Sequence, residues 1–312
     1  MVTSLGSLAI ADGHLEDSMT HLKAACDFIA ANSSHIGPFV FKHAAIMDIK
    51  YAVAQFTRPV LDITGRNLRL KSPPRLALVT RQRTDRSLTL FPSDFRDVVA
   101  DEVMMGLYWN NLAYESSYAK ELDPADVLSN YIRPLRLLRG LVMDVFEADA
   151  LRNHEEPETQ PRAALALCLE FFAWMHDPAH VIPYISHSSY MERFARNLRA
   201  KLPRLLDLES DSLGQEWQDT GAGLELLLWV LMIGYAMTSI GGTDDDDFSS
   251  IQLLSLVHAL ERVIQRLRIT TQLEFEQVLR ISPWTDTFCG IWSKTIGTRL
   301  GLCPTVEDLS LP

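Results

Sequence analysis

The run His176-Asp177-Pro178-Ala179-His180, with Glu170 before it and His187 after it, gathers residue types that hold metal ions or move protons. Two histidines four apart can share one ligand face only on an unbroken helix. Here Pro178 disfavours helical backbone at Asp177, so His176 and His180 do not share a face. The pattern predicts a helix C-terminus with histidines near its dipole, and no metal ligand is expected from it. Four consecutive aspartates, Asp244, Asp245, Asp246 and Asp247, are the other candidate for a divalent cation such as Mg²⁺. They follow Gly241-Gly242 and precede a helical pattern, where carboxylates are favourable against the N-terminal dipole. Neighbouring aspartates in a loop point in different directions, and no second carboxylate motif accompanies them, so metal-dependent cyclase chemistry is the weakest reading.

Nucleophilic and cofactor chemistry leave no mark. No Gly-x-Ser-x-Gly elbow occurs, and Gly241-Gly242 has neither a preceding strand nor a following Lys for a phosphate loop. No cofactor is therefore expected. Four cysteines, Cys26, Cys168, Cys289 and Cys303, are too far apart for a Cys-x-x-Cys pair and read as reduced thiols of an intracellular protein. Cys289, beside Phe288 in an apolar helical pattern, reads as an inert core thiol. Six tryptophans remain: Trp109, Trp174, Trp217, Trp229, Trp284 and Trp292. Most sit at helical spacing among Leu and Phe and read as core. Trp229, Tyr235, Trp284 and Trp292 are the candidates for lining a site for a hydrophobic small molecule.

The elements that must position these side chains are helical. Apolar residues recur at three and four along nearly the whole chain, and alternation at two is confined to Leu76-Ala77-Leu78-Val79-Thr80. Leu15, Met19, Leu22, Cys26 and Ile29 form one stripe, and Ile46, Ile49, Val53 and Phe56 a second, entered through Gly37-Pro38. A third helix opens at Pro92-Ser93. Asp123-Pro124 begins another that runs past Leu128, Leu135, Leu138 and Val142, with a kink expected at Pro134. Pro161 opens a helix that is apolar on nearly every side, and 189–206 is amphipathic and basic. Residues 224–240 end at Gly241-Gly242; a stripe from Leu253 to Leu267 follows, then a capping box at Thr271 with Glu274. Ser282-Pro283 is expected to start a last helix carrying Trp284, Phe288, Ile291, Trp292 and Ile296. The expected fold is all-α: a single large helical domain, 1–312, of about nine or ten helices, with a basic excursion loop at about 58–92.

Composition agrees with a globular chain. The 312 residues are 47% hydrophobic and 22% charged with mean hydropathy +0.02, enough apolar material for a sizeable core. Net charge is −11, which argues against direct binding of nucleic acid or of an anionic membrane. The charge is uneven, because 58–86 carries eight basic residues against Asp62 and Asp85. That stretch is not a compact nuclear-import cluster and reads as a solvated loop. The uninterrupted apolar run at 226–237 is 12 residues long, where a span needs roughly 20, so a buried helix is expected and no membrane partner. No signal peptide is expected at the N-terminus.

The segments LELLLWVLMIGYAMTSIGG, IQLLSLVHALERVI and LEFEQVLRISPWTDTFCGIWSKTIG, in that order, resemble the C-terminal domain of fungal zinc-cluster transcription factors. The counterparts are Trp229, the 253–267 stripe, Trp284 with Asp286, and Trp292. The N-terminal piece HLKAACDFIAANSSHIGPFVFKHAAIMDIKYAVAQFTRPVLD is similar too, with its Thr57-Arg58-Pro59 corner, so the likeness covers roughly 14–300. The family reads DNA through an N-terminal cluster of six closely spaced cysteines around two zinc ions; four scattered cysteines do not build one. The resemblance implies a regulatory domain without its own DNA-binding module, nuclear or cytoplasmic, serving a metabolic or secondary-metabolite gene cluster. Its expected partners are a small hydrophobic metabolite, another transcription factor, or a second copy in a homodimer. The alternative is an enzyme of secondary metabolism on the same helices, which would fold a hydrophobic chain for cyclisation by shape and entropy alone. In that reading His176, Asp177 and Asp286 are the acid and base candidates.

Overall fold

The computed structural model describes residues 14–32, 36–61, 89–100, 124–151, 159–175, 200–206, 208, 213, 217, 223–241, 247–286 and 288–302. Among them are nine α-helices and one 3-10 turn, and no strand, so the fold is all-α. We number the helices α1 (Leu15–Ala31), α2 (Pro38–Gln55), α3 (Pro124–Leu151), α4 (Thr159–Met175), α5 (Leu202–Leu205), α6 (Gly223–Gly241), α7 (Asp247–Leu267), α8 (Gln272–Leu279) and α9 (Cys289–Arg299). The 3-10 turn is Ser93–Phe95.

Local signals account for most of the boundaries. Pro38 occupies the first turn of α2, where its missing N–H leaves no hydrogen bond unmade. At the other end Phe56 takes left-handed backbone, φ 55°, and its N–H closes the helix on the carbonyls of Ala52 and Val53. In α8 the Thr271 side chain accepts from the Glu274 N–H while the Glu274 carboxylate accepts from the Thr271 N–H, so both halves of the capping box form. Past α9, Gly301 supplies the left-handed residue, φ 66°, that lets the Leu302 N–H return to the Gly297 carbonyl.

Three starts differ from their sequence expectation. α4 begins at Thr159 rather than at Pro161, which a first turn accommodates as readily as a first position. The helix read from Leu253 begins at Asp247, so the last aspartate of the acidic run opens α7. The last helix begins at Cys289, and Ser282-Pro283-Trp284 lie in the corner before it. The Pro283 carbonyl accepts the Trp229 indole N–H at 3.0 Å, and a tertiary bond at that carbonyl replaces the intrahelical one that an earlier start would need. α3 runs for 28 residues with Pro134 inside it.

In space α1 packs on α2, α2 on α3 and α3 on α4; α4 then meets α6, and α6 carries α7, α8 and α9. α6 is the centre of this arrangement. Leu226, Leu227, Leu228, Trp229, Val230, Leu231, Met232 and Ile233 are each 0% exposed, so the helix is covered on every side. Residues 223–240 would be long and apolar enough to cross a membrane, but 78% of that window is buried inside the protein. Burial of each large apolar side chain contributes about 1.5–3 kcal/mol, and this helix concentrates that contribution. One connected core runs from Ile29 in α1 to Ile296 in α9, with a small satellite of Leu22, Ala25 and Met47 between α1 and α2. The 3-10 turn adds Phe95 to the main core and is tied to α4 by an ion pair between Asp94 and Arg162.

Candidate functional site

Helices α4, α6 and α9 bring their aromatic side chains into one seam. Trp229 of α6 meets Phe172 of α4 edge to face, with ring centroids 5.7 Å apart, and Phe91 at 6.4 Å. Phe172 and Phe171 both meet Phe288, at 6.4 and 6.1 Å. Phe288 meets Trp292, and Trp292 meets Tyr235, at 6.4 and 6.1 Å. Edge-to-face pairs of this kind add about 0.5–1.5 kcal/mol each beyond the area they bury. Trp292 is the partly exposed member, and Trp229 and Tyr235 are buried.

Two of these rings have their polar ends satisfied within the chain. The Trp229 indole donates to Pro283, as above, and the Tyr235 hydroxyl accepts from Arg299 at 3.0 Å. At the corner before α9 the Trp284 indole donates to the Asp286 carboxylate at 2.8 Å. Arg280 closes that corner: its guanidinium lies 4.6 Å from the Trp284 ring centroid and 2.9 Å from the same carboxylate. Asp286 thus accepts two charge-assisted or indole hydrogen bonds from its own neighbours. That geometry fixes the corner between α8 and α9.

The four residues expected to line a ligand site therefore fall into two adjoining groups. Trp229, Tyr235 and Trp292 belong to the seam; Trp284 sits on the corner that Trp229 grips. Of the acid and base candidates, Asp286 is in that corner, and His176 and Asp177 lie outside the described residues, as do His180, His187, Asp244, Asp245 and Asp246. Glu170, the carboxylate nearest the histidine run within the described part, is buried and paired elsewhere. Among the described residues no group of three or more His, Cys, Asp and Glu could hold a metal ion.

Sequence reasoning missed a second polar system in the core, where α2, α3 and α4 meet. Arg139 of α3 is 0% exposed and Glu170 of α4 1%, and the guanidinium reaches both carboxylate oxygens, at 3.2 and 2.9 Å. Its Nε donates to the Thr57 carbonyl at 2.9 Å, and the Phe56 ring covers it at 4.6 Å. Burial pushes the Glu170 carboxyl above its ordinary range, against the pull of Arg139. Beside this pair, buried Asp48 accepts the N–H groups of Val60 and Leu61 at 2.9 and 2.8 Å and faces Arg136 at 3.3 Å. Burial raises its carboxyl too, opposed by those two backbone donors and by Arg136. Further out, Arg58 pairs with Asp144 and Glu147 of α3 at 2.6 and 2.7 Å. Three charged contacts thus fasten the Thr57-Arg58-Pro59 corner to α3. The signal in the sequence is phase: Arg139 falls in step with Leu135 and Val142 on the buried stripe of α3.

No protein-family model, curated protein or solved structure matches this chain.

Among the described residues, Cys26, Cys168 and Cys289 are not activated thiols; Cys303 lies outside them. Burial pushes Cys289 up to about 12 and Cys168 higher still, and the Cys168 thiol donates to the Val230 carbonyl at 3.6 Å. Cys26 is raised to about 11 by burial and by the nearby Asp48 carboxylate. At neutral pH all three stay protonated, and a protonated thiol is a poor nucleophile.

Proposed function

We propose that this chain is a regulatory, non-catalytic helical domain related to the C-terminal domain of fungal zinc-cluster transcription factors, binding a small hydrophobic metabolite or a partner transcription factor. It acts in the nucleus or cytoplasm on the expression of a metabolic or secondary-metabolite gene set. The observation that carries this reading is the Trp229 indole bond to the Pro283 carbonyl. It joins two of the segments on which the resemblance rests, 54 residues apart in sequence, into one unit with Trp284, Asp286 and Trp292.

Regulation by such a domain is a shift between helix packings. A ligand or partner moves the equilibrium only by its difference in affinity for the two packings. The Tyr235–Trp292 pair is the outer end of the aromatic seam, where a hydrophobic molecule would separate rings at least cost. In this reading residues 1–312 themselves make no zinc-cluster contact with DNA, since their four cysteines are too few for a six-cysteine cluster.

Deletion of the gene, with transcripts of its chromosomal neighbours and the secreted small molecules measured in the same cultures, tests this. The expected result is a fall in neighbouring transcripts with loss of a whole product family. Steady transcripts with one precursor accumulating would assign the chain to catalysis instead.

A further inference from the structure

We draw no further inference here: the strongest candidate, the exposed apolar pair Ile251 and Leu254 on the outward face of α7, has nothing in the structure to show what covers it.

Discussion

The Arg139 guanidinium makes four hydrogen bonds inside the protein, two to Glu170 and one each to the Thr57 carbonyl and the Met143 sulfur. A buried pair of this kind contributes little net stability against an apolar replacement, but removing one partner strands the other. Arg139→Met is therefore expected to cost about 3–5 kcal/mol in urea-induced unfolding. Adding Glu170→Leu to it should recover most of that loss, and a double variant no more stable than the single one would contradict the pairing. Asp286 makes the opposite case. Its contacts with Trp284 and Arg280 are about one-third exposed on both charged partners, so solvent screens the ion pair. Asp286→Asn keeps an acceptor for the Trp284 indole and is expected to cost about 1 kcal/mol or less. The variant should also complement a deletion strain fully. Loss of product with normal stability would instead give Asp286 an acid or base role.

Helix ends were the most legible part of the sequence, because their signals are local. Pro38 and the Thr271 capping box each act on backbone groups within a turn of themselves, and each lies where spacing puts it. The start of α9 was illegible for the opposite reason: Trp229, far away in the chain, engages the Pro283 carbonyl and holds Trp284 outside the helix. The capping box yields a prediction with a definite sign. Hydrogen bonds from the Thr270 N–H and hydroxyl and from the Thr271 N–H hold the Glu274 carboxyl below its ordinary value of 4.5. A group depressed in the folded state contributes stability that is present above its unfolded value and lost as pH falls through the folded one. The stability difference between the wild type and Glu274→Gln should thus be full at pH 7 and shrink steadily below about pH 4.5. Thermal unfolding measured across that range checks it, and a difference that stays constant or grows on acidification would contradict the capping role.

At the scale of the whole molecule, periodicity was sufficient to show an all-α chain with a buried 224–240 helix, since three-and-four spacing and an apolar run survive any tertiary arrangement. The candidate site was only half legible. Residue type picked out Trp229, Tyr235, Trp284 and Trp292, but their seam depends on how α4, α6 and α9 approach, which no spacing encodes. The charged system of Asp48, Arg136, Arg139 and Glu170 stayed hidden because its partners come from different helices, far apart in sequence. Both systems fasten helices together. Acute depletion of the protein, with neighbouring transcripts and small molecules followed over time, tests the regulatory account most directly. A regulator predicts that transcripts fall first and products decline afterwards as existing enzymes are diluted. A precursor that accumulates while transcripts hold steady would contradict it.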